Sequence, residues 1–356
     1  MTTSGYEAVR RTAGLVERPD RALLGVTGAD RTAWLQGLLT NDVAALAPGH
    51  GCYAAHLTPQ GRMVADLRVL RTDASSLLDV PAAARDRLLE RFDMFIITED
   101  VRVTDLSQIV VRLGVHGPAA PDVLARSLAA RGEPAATLEA RLAALDEHES
   151  LRVGLAGPRD GALDFAAAGF GGLLVTATRD YGVPGFDLFA DADELAALRA
   201  ALAASGVLLV DAASEHVLRV EAGRPLFGVD MDEETIPLEA GIEDRAISFT
   251  KGCYVGQEVI VRVRDRGHGR VAKRLVGLSA EAEEHGARVA AGDTLVIAGR
   301  EAGRLTSVAF SPALERTIAL GYVHRDFAAS GSRVEVRHGD ARVALVVTPT
   351  PFVVPA

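Results

Sequence analysis

Two cysteines occur among the 356 residues, and one of them, Cys253, stands in Lys251-Gly252-Cys253-Tyr254, just ahead of Gly256-Gln257-Glu258 and a run of arginines. A helix beginning near Tyr254 would put this thiol at a helix N-terminus with the Lys251 ammonium two residues away. Dipole and ammonium both favour the thiolate, the form that attacks electrophiles and binds metals. A small buried hydrophobe is the other reading of the same cysteine. Gly252 and Gly256 allow a ligand or a neighbouring segment to approach the backbone closely. Gln257 and Glu258 fall in the expected helix's first turn, where an acid suits the dipole whether or not it meets a ligand. Arg262, Arg264, Arg266, Arg270, Lys273 and Arg274 face the single acid Asp265. Such a run is either a solvated face or a side that meets a polyanion.

A second constellation is LRVEAGRPLFGVDMDEETIPLEAG, residues 218–241. Its acids, Asp230, Asp232, Glu233 and Glu234, lack the ligand spacing of a calcium loop and read as a solvated loop. The nine histidines show no metal-binding spacing, and His268 draws attention through its place beside the arginines. Walker A, G-x-S-x-G and dinucleotide-binding glycine patterns are absent, which removes support for kinase, hydrolase and dehydrogenase readings. A net charge of −10 argues against a surface that coats nucleic acid, and no direct DNA binding is expected. The cysteines form neither C-x-x-C nor a zinc spacing, and no run of about 18 apolar residues occurs. A cytoplasmic protein, neither secreted nor membrane-spanning, is expected.

These groups must be held by elements that the patterning outlines. RALLGVTG reads as a strand, with Asp30 as N-cap of a helix that buries Trp34, Leu35, Leu38 and Leu39. GCYAAHL and RMVADLRVLRT read as a hairpin turned by TPQG. A helix follows in PAAARDRLLERF, then strands in VRVTDL and IVVRLGVHG, a helix opened by Pro118, and another in the Ala/Glu/Arg-rich stretch after it. GGLLVTATRD and FDLFAD read as strands around YGVPG, with a helix over about 193–204. Asp211 caps a further helix that Gly223 and Pro225 stop. From about Lys273 short alternating runs without helices predict a β-barrel of roughly 80 residues.

At KGCYVGQE, together with WLQGLLTND, LTPQGRMVADLRV and the 218–241 segment, the chain resembles the YgfZ-like branch of the folate-binding glycine-cleavage T-protein superfamily. The resemblance runs through nearly the whole chain in order, and K-G-C-Y-x-G-Q-E is specific to that branch. It implies an α+β fold, a cloverleaf of mixed subdomains around a central hole for tetrahydrofolate, with residues 1–275 as the folate-binding region and 276–356 as a β-barrel. Against the T-protein pattern, D-D-L falls on Ala65-Asp66-Leu67, the pterin-facing glutamate on Asp187, and an arginine on Glu215, which reverses its charge.

The resemblance implies a cytoplasmic monomer that binds tetrahydrofolate and assists assembly or repair of iron–sulfur enzymes, including tRNA-modifying ones. Its partners would be iron–sulfur client or assembly proteins. Cys253, Lys251 and Asp66 would carry the chemistry. Asp187, Arg219, Glu221, Gly252, Tyr254, Gly256, Gln257, Glu258 and Arg262 would hold folate, with the basic run meeting its glutamyl tail. The alternative is a folate-dependent aminomethyl or one-carbon transferase of the T-protein type, using an acid near Asp66.

Overall fold

Side chains alternate across a strand, and in this chain the alternation sorts leucine from charge. In a computed structural model, which describes residues 3–154, 172–266, 270–281, 289–339 and 341–354, the N-terminal helix α1 (Thr3–Arg11) leads to β1 (Gly14–Glu17) and β2 (Arg21–Thr27). Helix α2 (Arg31–Leu38), the hairpin β3 (Gly51–Leu57) and β4 (Met63–Arg71), β5 (Ser76–Pro81), α3 (Arg85–Met94) and β6 (Arg102–Asp105) follow. Next come β7 (Val111–His116), α4 (Ala120–Leu128), α5 (Ala135–Ala143), β8 (Ser150–Val153), β9 (Leu173–Thr178) and β10 (Gly185–Ala190). Helix α6 (Ala192–Ala204), β11 (Leu208–Leu209), α7 (Ala212–Glu221), α8 (Pro237–Ala240), α9 (Glu243–Ala246) and α10 (Gln257–Val261) complete the region before the barrel.

One sheet runs β3-β4-β5-β2-β6, and a second runs β11-β1-β7-β10-β9-β8. The first packs one face on α2 and α3 through Leu24, Leu35, Leu67, Leu78 and Phe92. The second packs one face on α4, α5 and α6 through Leu113, Val115, Phe186, Leu188 and Leu198. Their opposite faces meet each other. There Leu23, Leu70, Leu77, Leu174 and Phe189 form a shared apolar layer, each large side chain adding about 1.5–3 kcal/mol through burial. Two residues along the same strand faces the side chains become Arg21, Arg68, Asp79, Arg112 and Asp187. This charged half of the layer backs the candidate site.

Strands β12 (Lys273–Ala280), β13 (Thr294–Ile297), β14 (Arg300–Ser311), β15 (Arg316–His324), β16 (Arg333–His338) and β17 (Ala341–Thr348) close a barrel in the order β12-β15-β14-β13-β16-β17. Val220 of α7 packs on its Ala309, Ile318 and Leu320. The expected α+β class with a C-terminal barrel is observed. Asp30 does precede α2, yet its carboxylate accepts from Asp100 N–H rather than from the helix. Asp211 caps α7 as expected, accepting from Ser214 N–H at 2.7 Å. No helix among the described residues is long and apolar enough to cross a membrane.

Candidate active site

A central cavity of about 590 Å³ opens among these elements. Strand β4 brings Asp66 and Arg68 to its wall, and β3 brings Tyr53. Helix α7 contributes Glu215, His216 and Arg219, the turn after it Arg224, and α9 Arg245. Its size lies in the range of small-molecule sites.

Asp66 is the carboxylate best placed for chemistry. Its Oδ2 accepts from the Tyr53 hydroxyl at 2.8 Å, while the buried Oδ1 has no protein partner among the described residues. Burial and the neighbouring Asp66 charge push the Tyr53 hydroxyl well above its usual pKa, which keeps it a donor. The Arg245 guanidinium lies over the Tyr53 ring, 4.9 Å from its centroid.

Behind this wall an ion network fixes Arg68. Its guanidinium donates to Asp180 at 2.5 and 2.7 Å and to Asp187 at 3.0 Å. Arg112 bridges Asp187 to Asp79, and Arg21 donates to Asp79 at 3.0 Å. Burial alone would raise the pKa of Asp79, but Arg112, Arg21 and Arg68 outweigh it and hold the carboxyl below the usual range. Asp187 therefore sits behind Arg68 rather than on the cavity wall, and its Oδ1 has no protein partner among the described residues. Glu215, where the T-protein pattern has an arginine, accepts from the Tyr181 hydroxyl at 2.7 Å and lies 3.7 Å from Arg18.

Other expected site residues are dispersed. Arg219 lines the cavity but is held by Asp230 at 2.6 Å and Ser307 at 2.8 Å, tying α7 to the barrel. Glu221 is fully buried away from the cavity, accepting from Tyr6, Arg10 and Ser311. It clamps α1, α7 and β14 together. The segment 251–262 does not line the cavity at all. Lys251 Nζ donates to the carbonyls of Gln36, Leu39 and Asn41 at 2.6, 2.6 and 2.9 Å. These oxygens lie at the end of α2, where an ammonium meets the negative end of the dipole. Burial lowers its pKa to about 8 against the opposing pull of Asp42 and Cys52.

Gly256, at φ 84°, precedes α10, so the helix begins three residues later than expected and the thiol of Cys253 is not at its N-terminus. A Cβ at Gly256 would lie 2.5 Å from the Thr58 carbonyl, so the glycine lets this segment press on the β3–β4 turn. Cys253 and Gly252 are exposed, Tyr254 is buried under Lys251, Gln257 is half-buried, and Glu258 and Arg262 face outward. Neither sequence reading of Cys253 describes this placement. His268 lies outside the described residues, and no metal-ligating cluster occurs among the described ones.

Sequence reasoning missed Tyr53, Arg68, Arg224, Arg245 and His148. Arg68 carried a legible signal, since it shares a strand face with Asp66 inside an apolar run. His148 left none; its backbone is left-handed at φ 73°, it lines the cavity, and its Nδ1 has no protein partner among the described residues.

The chain matches the GCVT N-terminal domain over residues 1–141 and the glycine cleavage T-protein C-terminal barrel domain over residues 273–353. It is 32% identical over 350 residues to the aminomethyltransferase of Rubrobacter xylanophilus, covering 98% of this chain and 85% of that protein. The aminomethyltransferase of Geobacillus kaustophilus is 32% identical over 352 residues, covering 98% and 89%. In fold, the chain is similar to the glycine cleavage system aminomethyltransferase T from Bartonella henselae, with a TM-score of 0.83, 23% identity and coverage of 99% and 90%. These full-length relatives overturn the YgfZ-like reading and, with it, the iron–sulfur assembly role, the tRNA-modification link and the iron–sulfur partners drawn from Cys253. The chain belongs to the glycine cleavage T-protein family of aminomethyltransferases.

Proposed function

We propose that this protein is a folate-dependent aminomethyltransferase of the T-protein type, with Asp66 as its reactive-centre carboxylate. Residues 1–275 would form the folate-binding region and 276–356 the barrel domain. The family's aminomethyltransferases use tetrahydrofolate. The residues present fit that group: a 590 Å³ cavity, a buried carboxylate oxygen without a protein partner on Asp66, and arginines at the wall.

The observation that carries the reading is the asymmetry of Asp66. Tyr53 occupies Oδ2 and leaves Oδ1 for an N–H or a proton in the cavity. Bound tetrahydrofolate supplies the amine nitrogen that accepts a one-carbon unit. Asp66 would hold or polarise the reacting centre, Tyr53 keeps the carboxylate in place, and Arg68, immobilised by Asp180 and Asp187, keeps positive charge beside it. Arg224 and Arg245 supply the donors for an anionic part of the ligand.

The test supplies tetrahydrofolate and an aminomethyl group on a dihydrolipoyl carrier protein, and follows ammonia and methylene-tetrahydrofolate. Wild type is expected to turn over. Asp66→Asn should lose about 100-fold or more in kcat, with folate affinity within tenfold and unchanged melting. An Asp66→Asn variant as fast as wild type would sink the role of Asp66. Absence of turnover in wild type that still binds folate would sink the activity.

A further inference from the structure

Between α5 and β8 the chain makes a tight turn, Asp146 to Glu149, closed by Glu149 N–H donating to the Asp146 carbonyl at 3.0 Å and Asp146 N–H to the Glu149 carboxylate at 2.9 Å. Both sheets clamp it. His148 N–H donates to the Ala177 carbonyl on β9 at 2.8 Å, Ala177 N–H donates to the Glu149 carbonyl at 2.8 Å, and Ser150 N–H donates to the Gly49 carbonyl ahead of β3 at 2.7 Å. Gly51 on β3 makes room for the His148 carbonyl, since a Cβ there would lie 2.8 Å from it. His148 is thereby held at φ 73°, a left-handed backbone that is uncommon outside glycine and persists where the surroundings impose it.

The clamp puts an imidazole on the wall of the central cavity, and its Nδ1 has no protein partner among the described residues. The charged groups that act on the ring are Arg68 of β4, Glu147 of the turn itself, Asp180 beyond β9 and Arg245 of α9. Two of these lead to Asp66. Arg68 stands two residues along the same strand face, and Arg245 covers the ring of Tyr53, whose hydroxyl donates to the Asp66 carboxylate. Burial, then Arg68 and Arg245, lower the imidazole pKa to about 4 against the pull of Glu147 and Asp180. The ring therefore meets a ligand neutral, with one nitrogen able to accept a proton.

We propose that His148 is a second catalytic group of this cavity, a neutral imidazole that accepts a proton from a folate nitrogen as that nitrogen bonds to the one-carbon unit, and passes it to the departing amine. The proposal rests on the aminomethyltransferase reading above. Transfer exchanges bonds without oxidation or reduction. Two carbon–nitrogen bonds form to folate, the carbon–sulfur and carbon–amine bonds of the aminomethyl group break, and the two hydrogens that leave the folate nitrogens end on the thiol and on ammonia. With Oδ2 taken by Tyr53, Asp66 has one oxygen for the reacting centre, so carrying a proton between two sites falls to a second group. His148 ends the cycle neutral, as it began.

His148→Asn tests the relay, because asparagine tolerates the left-handed backbone and carries no basic nitrogen. With tetrahydrofolate and an aminomethyl dihydrolipoyl carrier protein, kcat should fall about 100-fold, while tetrahydrofolate affinity by calorimetry stays within about threefold and melting is unchanged. His148→Gly has the same backbone freedom, and added imidazole should raise its rate about tenfold in a saturable way. In the full chain without substrates, the His148 ring resonances should report a neutral imidazole near pH 6 and should move when tetrahydrofolate is added. A His148→Asn enzyme as fast as wild type, a rate loss that imidazole does not restore, or ring resonances unmoved by folate each overturns the relay and leaves the aminomethyltransferase reading standing. Wild type that binds folate without turning over, or binds none, overturns that reading and the relay with it.

Discussion

Protonation of His116 should weaken the fold by an amount that can be worked out in advance. The ring is fully buried on the polar side of β7, edge-on to Tyr181 at 4.7 Å, and neither nitrogen has a protein partner among the described residues. Gly114 and Gly185 make the room, since a Cβ on either would come within 2.5 Å of the ring. Burial lowers its pKa from 6.5 to about 4, against the opposing pull of Asp187 and Asp180. The folded state thus refuses a proton that the unfolded chain accepts. Stability from this group is fully present above pH 6.5 and is lost as pH falls toward 4. From pH 7 to pH 5 the linkage integral for those two values is ~2 kcal/mol. His116→Phe removes the titration. Whatever its packing cost, that cost does not depend on pH, so the difference between wild type and variant should change by ~2 kcal/mol in favour of the variant. Urea denaturation of both proteins at pH 7 and pH 5 measures it. Parallel pH dependences would refute the buried, neutral histidine.

Three other substitutions separate structural from chemical roles. Lys251→Met leaves three carbonyls at the end of α2 without their ammonium and should cost about 2–4 kcal/mol in urea denaturation. Cys253→Ser, at an exposed site, should change stability by less than ~0.5 kcal/mol and leave one-carbon transfer intact; loss of transfer in that variant would restore a chemical role for the thiol. Glu221→Gln removes the charge that holds Arg10 in a buried clamp and should cost about 3–5 kcal/mol, visible as a lower melting temperature. A loss of folate affinity without a loss of stability would instead place Glu221 at the ligand.

Local pattern alone determined much of this protein. Alternation in RMVADLRVLRT marked a strand, TPQG its turn, Asp211 and Gly223 the ends of a helix, and the short runs after Lys273 a barrel. Asp66 was singled out only by the resemblance, where D-D-L falls on Ala65-Asp66-Leu67, and it does reach the cavity. Long-range pairing decided the rest, because it depends on which strand faces share a layer. The resemblance put Asp187 at the pterin-facing position, and in the fold Arg112 and Arg68 arrive from other strands to pair with it. Arg224 and Arg245 stand 21 positions apart with the short helix α8 between them, and only the turn after α7 and the placement of α9 bring both to the cavity. KGCY looked like a reactive site because a thiol, a lysine and glycines resemble chemistry in one dimension. Its lysine instead spends its donors on the end of a helix some 210 residues earlier, with separations of 210 to 215 positions, a contact that no window of sequence contains.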